Sequence, residues 1–297
     1  MGYAIRSNGL TRRFGSLLAV DNLDLAIKEG SITGFLGPNG AGKTSTIRLL
    51  LGLIKPHAGS CEVLGYPAGH PKALAQMGAL VESPSLYDHL TGWENLEITR
   101  LMRNAPRSDL DRVLALVNMK KDARRPVGEY SLGMRQRIAV ALALMGEPRL
   151  LILDEPSNGL DPMGIQEMRE LIRELPKATG ATVFLSTHIL AEVEQVASYV
   201  VVIHRGRLRY QGPMQELGTP SKARLILKVD DPPRAMANLI ALGFSVQREE
   251  GRLWVQATPE EAPRIAARLV QDGLAIYEMT PHHINLEGRF LALLGEK

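Results

Sequence analysis

The chain has 297 residues, of which 45% are hydrophobic and 23% charged, and its formal net charge at pH 7 is +3. This composition argues against a disordered chain, and the dispersed basic residues argue against a nucleic-acid partner. The only cysteine, Cys61, excludes an internal disulfide and fits a buried thiol in a reducing compartment. No apolar run approaches the roughly 18–20 residues of a membrane helix, and the N-terminal sequence MGYAIRSNGLTRRFG lacks the apolar core of a secretory signal. We therefore expect a soluble protein.

Strand and helix signals alternate over residues 1–218, which predicts an α/β domain with a largely parallel sheet flanked by helices. Residues 91–147 read as helical without a convincing strand, which predicts a helical subdomain inserted into that domain. Short apolar or β-branched runs beside turn residues predict strands at 31–36, 79–82, 150–153, 182–186 and 199–204.

A second, smaller domain is predicted at residues 219–297, after a stretch rich in glycine and proline at 212–220. Its signals follow the order strand, helix, strand, strand, helix, strand, which is the ferredoxin-like α+β arrangement. The predicted strands are 223–229, 244–249, 252–257 and 274–279, and the predicted helices are 233–242, 260–272 and a closing amphipathic helix at 284–294.

Residues 37–44, GPNGAGKT, match the phosphate-binding pattern G-x-x-x-x-G-K-[ST] between a predicted strand and a predicted helix at 45–51. Glycines let backbone N–H groups curl around a phosphate, and the helix N-terminus adds partial positive charge. Lys43 is expected to reach the β- and γ-phosphates, and the Thr44 hydroxyl to bind Mg²⁺. The predicted nucleotide-binding residues of this loop are Gly37, Pro38, Asn39, Gly40, Ala41, Gly42, Lys43, Thr44 and Ser45.

The run LLILDE at 150–155 predicts a buried strand that delivers two carboxylates to its C-terminal end, where ligands bind in open α/β sheets. Asp154 fits a Mg²⁺-binding role through a water molecule, and Glu155 is placed to activate an attacking water as general base. A strand that simply ends in a charged turn is the alternative, which the phosphate-binding pattern disfavours.

The run YSLGMRQR at 130–137 resembles the signature motif of the ATP-binding subunits of ABC transporters, and the resemblance covers about residues 3–215. Gly133 is expected to begin a helix at 134–145 whose N-terminus can face an anion. The phosphate-binding loop of the same chain already binds its own nucleotide, so this second anion site is redundant within one chain. The resemblance implies a head-to-tail dimer in which the signature of one copy closes over the γ-phosphate of ATP held by the other. The residues expected at this contact are Ser131, Leu132, Gly133 and Met134.

Three further positions match motifs of the family, in the order in which the family has them along the chain. Phe14 matches the aromatic residue that stacks on adenine, with a plain core aromatic as the alternative. Asp161, in NGLD at 158–161, resembles the loop that communicates across the dimer. His188, in LSTH at the end of a predicted strand, resembles the switch histidine that contacts the γ-phosphate.

Two positions depart from the usual family pattern. Glu82 stands where the family usually has a glutamine that contacts Mg²⁺ and the attacking water. A carboxylate can bind either, but it adds negative charge beside the phosphates, and pairing with a nearby arginine is the alternative. Leu132 replaces the usual glycine of the signature. Both variants resemble the bacitracin- and antibiotic-export branch of the family.

The resemblance implies an ATPase that uses Mg²⁺, forms a dimer with a second, identical subunit and drives a separate membrane permease from the cytoplasmic face of the cell membrane. Export of a drug, antibiotic or lipid-like molecule is the leading interpretation. An importer ATPase with a regulatory C-terminal domain is the alternative, and a non-transport ABC ATPase is disfavoured because the chain has one cassette and no sustained heptads. The cargo is not predicted, because in this family the permease selects it.

Overall fold

The computed structural model describes residues 2–81, 85–217, 224–249, 251–282 and 286–294. The chain separates into two compact units, Met1–Leu217 and Gly218–Lys297. The predicted boundary between residues 218 and 219 lies outside the described residues. Within the described residues, no helix has the length and apolar composition needed to cross a membrane.

The first unit alternates strands and helices over most of its length. In chain order its elements are β1 (Tyr3–Phe14), β2 (Leu17–Leu23), β3 (Ala26–Lys28), β4 (Ile32–Leu36), α1 (Lys43–Leu50), β5 (Ala58–Val63), β6 (Tyr66–Pro67), α2 (Pro71–Leu74), β7 (Met77–Leu80), α3 (Gly92–Arg103), α4 (Ser108–Leu116), α5 (Leu132–Leu144), β8 (Leu150–Asp154), α6 (Pro162–Thr179), β9 (Thr182–Thr187), α7 (Leu190–Val196), β10 (Tyr199–His204) and β11 (Arg207–Pro213).

A six-stranded sheet with the order β11-β10-β4-β9-β8-β7 forms the centre of this unit. All neighbouring strands are parallel except β10 and β11. Every residue of β4, β8 and β9 is buried, which explains their continuous apolar character. The register pairs Leu36 with Thr187 and Asp154 with Ser186, so the carboxyl ends of three adjacent strands meet at one edge. The predicted α/β fold with a largely parallel sheet is confirmed for this part of the unit.

A second sheet in the same unit was not predicted. It has the order β2-β1-β5-β6, with β3 also paired to β1, and all its pairs are antiparallel. Its strands mix polar and apolar residues and bury only part of their length, as the sequence AGSCEV of β5 illustrates. Such half-exposed strands give a weaker sequence signal than the uniformly apolar strands of a parallel sheet.

Residues 92–144 contain α3, α4 and α5 and no strand. Thr91 caps α3 in a capping box, because its hydroxyl accepts a hydrogen bond from the Glu94 N–H at 3.2 Å and the Glu94 carboxylate accepts one from the Thr91 N–H at 2.8 Å. The expectation that α5 begins at Met134 was wrong by two residues. Ser131 is its N-cap, and its hydroxyl accepts a hydrogen bond from the Met134 N–H at 3.3 Å.

The second unit has the predicted ferredoxin-like order. Its elements are β12 (Arg224–Val229), α8 (Pro232–Ala241), β13 (Ser245–Glu249), β14 (Arg252–Gln256), α9 (Ala262–Gln271), β15 (Ile276–His282) and α10 (Leu286–Leu294). The strands form an antiparallel sheet in the order β13-β14-β12-β15. Leu239 of α8 and Ile265 and Leu269 of α9 join the apolar side chains of the sheet in one core, which confirms the predicted α+β arrangement.

Candidate nucleotide-binding and hydrolysis site

The phosphate-binding loop follows β4 and leads into α1. Gly42 is the N-cap of α1 with φ at 105°, a backbone conformation that favours glycine, and a Cβ there would lie 2.3 Å from the Ala19 carbonyl oxygen. A Cβ at Gly37 would lie 2.5 Å from the carbonyl oxygen of Ile203. The two glycines therefore let the loop pack against neighbouring backbone. The N–H groups in the first turn of a helix such as α1 are a common anion-binding site.

Lys43 is buried, with 6% of its side chain exposed, and its ammonium group folds back over the loop. Lys43 Nζ donates hydrogen bonds to the carbonyl oxygens of Gly37 at 2.7 Å and Pro38 at 3.4 Å. It also forms an ion pair with Glu155 Oε1 at 3.2 Å. The ammonium therefore contacts three oxygen atoms of its own chain.

Asp154 lies at the end of β8 and is almost fully buried. Thr44 Oγ1 donates a hydrogen bond to its Oδ2 at 2.9 Å, and Ser186 Oγ donates one to its Oδ1. Within the residues that the structure describes, no group of three or more His, Cys, Asp or Glu side chains is arranged to hold a metal. Mg²⁺ in nucleotide sites typically uses one or two protein oxygens together with phosphates and water. The adjacent oxygens of Thr44 and Asp154 fit that donor set.

Glu155 follows Asp154 with φ at 48°, in the left-handed region. A residue other than glycine there costs on the order of 1 kcal/mol, and such positions cluster at functional sites. The Glu155 N–H donates to the Ser186 carbonyl oxygen at 3.0 Å, which fixes the turn after β8. Its second carboxylate oxygen, Oε2, lies 2.9 Å from His188 Nδ1. The Glu155 carboxylate thus bridges Lys43 and His188.

A cleft of about 670 Å³ is lined by Lys43, Glu155 and His188, whereas Asp154 and Gly37 are not among its lining residues. Phe14 lines it and is 41% exposed, so Phe14 is not a core aromatic. The guanidinium of Arg12, which does not line the cleft, lies 4.7 Å from the centre of the Phe14 ring. The lining residues are Phe14, Leu17, Leu18, Ala19, Asn39, Gly40, Gly42, Lys43, Thr44, Ser45, Glu155, Asn158, His188 and Arg205.

The sequence analysis missed Arg205, a second basic residue of the cleft. Arg205 lies in the turn between β10 and β11 and is exposed, without a hydrogen bond or ion pair to the described part of the chain. The next residue, Gly206, donates its N–H to the Ala41 carbonyl oxygen at 2.8 Å, so this turn is tied to the phosphate-binding loop. Only the parallel pairing of β10 with β4 brings the two segments together, and no local motif signals it.

The signature residues line a different cleft, of about 320 Å³. It shares no lining residue with the phosphate-binding cleft of the same chain. Asp161 belongs to it as the N-cap of α6, and its Oδ1 accepts a hydrogen bond from the Gly164 N–H at 2.9 Å. The lining residues are Ser131, Leu132, Gly133, Met134, Arg137, Gly159, Leu160, Asp161, Met163, Gly164 and Glu167. The predicted site residue Glu82 lies outside the described residues.

Comparison with known proteins decides the family. The model of the ABC transporter family matches residues 20–158. The bacitracin transport ATP-binding protein BcrA of Bacillus licheniformis is 38% identical to this chain, over 99% of the chain and 98% of the relative. This chain belongs to the ATP-binding proteins of ABC transporters. The resemblance inferred from the signature motif is therefore confirmed.

A relative and a solved structure agree with this assignment. The lantibiotic transport ATP-binding protein SrtF of Streptococcus pyogenes is 36% identical, over 69% of this chain and 88% of the relative. The structure of cbiO1 of Clostridium perfringens, part of the ABC transporter complex cbiONQ, matches with a TM-score of 0.67 and 27% identity, over 73% of this chain and 91% of that one. As an ABC transporter ATP-binding subunit, the chain is an ATPase that binds ATP, dimerises and works with membrane permease components.

Proposed function

We propose that this chain powers export of a drug, antibiotic or lipid-like molecule, as a homodimer docked on a separate permease at the cytoplasmic face of the cell membrane. The full-length similarity to a bacitracin transport ATP-binding protein supports the class of cargo. The similarity to a lantibiotic transport ATP-binding protein supports the same choice. In the described part of the proposed accessory unit, residues 219–297, no helix is long and apolar enough to cross a membrane.

One observation carries the head-to-tail dimer. The signature cleft and the phosphate-binding cleft of one chain have no lining residue in common. The start of α5 beside Ser131 and Gly133 is exposed and can bind an anion. A nucleotide bound by the phosphate-binding loop of the same chain would lie in the other cleft. We therefore propose that Ser131, Leu132, Gly133 and Met134 of one copy contact the γ-phosphate bound by the other, with Asp161 beside that contact.

In this proposal the loop residues 37–45 hold the phosphates, and Phe14 stacks on adenine. Thr44 and Asp154 hold Mg²⁺, which neutralises charge on the phosphates. Lys43 leaves Glu155 and the two loop carbonyls to contact the β- and γ-phosphates. Glu82 stays a proposed Mg²⁺ or water ligand, on the family resemblance alone.

Hydrolysis then uses the groups beside the γ-phosphate. The Glu155 carboxylate accepts a proton from a water molecule as the water oxygen bonds to the γ-phosphorus, and the bond to the β-phosphate oxygen breaks to release ADP and phosphate. His188, hydrogen-bonded to Glu155, orients the carboxylate and contacts the γ-phosphate. The left-handed backbone of Glu155 fixes this group at the end of β8.

The dimer is tested with the Glu155→Gln variant, which should bind ATP without turning it over. Light scattering is expected to give a monomer without nucleotide and a dimer with saturating ATP and Mg²⁺. A monomer under both conditions would contradict the proposed dimer.

Export is tested by purifying the chain from native membranes and identifying the co-purifying hydrophobic protein. Deletion of the gene is expected to lower resistance to a peptide antibiotic such as bacitracin or a lantibiotic. If instead a solute bound the second unit, inhibited the ATPase and was accumulated by cells, the importer alternative would replace this proposal.

A further inference from the structure

A buried carboxyl group behind the hydrolysis site has no part in the mechanism above. Glu192 lies in the first turn of α7 and is 5% exposed. Its Oε2 lies 2.9 Å from Thr187 Oγ1, whereas its Oε1 is buried without a hydrogen-bond partner in the described part of the chain. A buried, half-satisfied carboxyl is costly, so a position that keeps one calls for a functional explanation.

The backbone that carries Glu192 is held firmly in the first unit. A Cβ at Gly34 would lie 2.1 Å from Val193 Cγ1, so α7 packs directly against β4, the strand that leads into the phosphate-binding loop. On the other side, Arg173 of α6 donates a hydrogen bond to the Gln195 carbonyl oxygen at 3.0 Å. Glu192 is thus presented from a fixed helix rather than from a mobile loop.

Thr187 links this helix to the switch histidine. Its hydroxyl accepts a hydrogen bond from the Ile189 N–H at 3.1 Å, and the same oxygen pairs with Glu192. Each of these two hydrogen bonds joins residues on either side of His188 and so restrains the segment that carries it. His188 in turn lies 2.9 Å from Glu155. The chain of contacts therefore runs from Glu192 through Thr187 to the segment that positions His188 against the proposed base.

We propose that Glu192 is a positioning residue for ATP hydrolysis, which holds the His188 segment through Thr187 in the geometry that orients Glu155. It does not touch nucleotide or water itself. The inference rests on the proposed roles of Glu155 and His188. A carboxylate is not required for it, because a glutamine amide oxygen accepts the same hydrogen bond from the Thr187 hydroxyl.

The test measures steady-state kinetics of the full chain in five variants. Glu192→Ala is expected to lower kcat about tenfold with KM for ATP within twofold, since loss of a positioning bond affects the chemical step. Glu192→Gln is expected to restore kcat to within about threefold of wild type. Thr187→Val should match Glu192→Ala, and the double variant should be no slower than either single one. Glu194→Ala, an exposed glutamate on the same helix, is the matched control with unchanged kcat.

A purely structural role predicts a different pattern. In a His188→Ala background, Glu192→Ala should cause no further loss of kcat, whereas general destabilisation would lower it again. Wild-type kcat in Glu192→Ala, or a full tenfold loss in the His188→Ala background, would overturn the inference. If Glu192→Ala fails to fold, Thr187→Val against Thr187→Ser applies the same test, with only the valine variant expected to slow. If Glu155→Gln were inactive while the Glu192 and Thr187 variants kept the wild-type kcat, this inference would be rejected. The proposed role of Glu155 as the base would still be supported.

Discussion

The Lys43 ammonium lies 3.2 Å from the Glu155 carboxylate, so the proposed phosphate-binding cation and the proposed base form an ion pair. In the proposed mechanism Lys43 contacts the phosphates of ATP and Glu155 contacts the attacking water. We therefore infer that ATP binding would separate the two side chains and free the carboxylate to accept a proton.

Replacement of Glu155 by glutamine is expected to lower kcat about 100-fold or more, because an amide cannot accept the proton of the attacking water. The same change removes a negative charge beside the phosphates, so the ATP dissociation constant should fall. Phosphate release and nucleotide binding measured on the same preparation check both effects. An unchanged steady-state rate would exclude Glu155 as the base, and Glu194→Gln on exposed α7 surface controls for loss of a carboxylate.

Arg205 is expected to contribute to nucleotide affinity rather than to chemistry. Arg205→Gln should raise KM for ATP roughly three- to tenfold with kcat within twofold, because one exposed charge-assisted contact is lost. The control is Arg209→Gln, which removes an exposed arginine from β11 outside the residues that line the cleft. Equal KM values for the two variants would remove Arg205 from the nucleotide site.

The pKa of Glu192 is raised above its ordinary value of 4.5, chiefly by burial. The Thr187 hydrogen bond and the charges of Arg169 and His188 oppose this rise, and the charge of Glu155 adds to it. Because the folded-state pKa exceeds the unfolded one, the stability that Glu192 contributes is present below about pH 4.5 and is lost as pH rises through the folded-state value.

Glu192→Gln, which cannot ionise, is therefore expected to gain thermal stability relative to wild type as pH rises from 4.5 to 8. The difference between the two Tm values is therefore expected to increase with pH. Calorimetry at several pH values checks the trend. A difference that shrinks with pH would mean that Glu192 is stabilised in its charged form.

Gly42 is expected to tolerate no side chain, on both conformational and steric grounds. Gly42→Ala should destabilise the fold by roughly 2–4 kcal/mol, from the left-handed backbone and the contact with the Ala19 carbonyl. Gly180→Ala is the matched control, because Gly180 has φ at 71° but no atom within 4 Å of its Cβ position. That control should cost only about 1 kcal/mol. Urea denaturation measures the free energy of unfolding of both variants. Equal losses for Gly42→Ala and Gly180→Ala would show that the close approach to the Ala19 carbonyl oxygen does not affect stability.

The features predicted best from the sequence are those with a pattern in consecutive residues. The phosphate-binding loop, the acidic end of β8 and the exact span of β10 each show a local pattern, and the structure has the same elements there. Arg205 was missed because strand pairing alone brings it to the cleft. Glu192 was missed because its burial depends on α7 packing over Gly34, a contact between distant segments. Long-range packing of this kind leaves no periodic trace in a single sequence.

The signature glycine provides the sharpest test of the dimer. A Cβ at Gly133 would have only the side chains of Leu160 and Ser131 nearby, at 3.9 and 4.0 Å, so a monomer should accept a larger residue there. Gly133→Asp is therefore expected to keep the thermal stability and ATP affinity of the monomer. In the proposed dimer, its carboxylate would face the γ-phosphate bound by the other copy and repel it. ATPase activity should fall at least 100-fold, and ATP should no longer dimerise the Glu155→Gln protein. Dimerisation at unchanged ATP concentration would show that this helix start faces no phosphate, and the signature cleft would then need another partner.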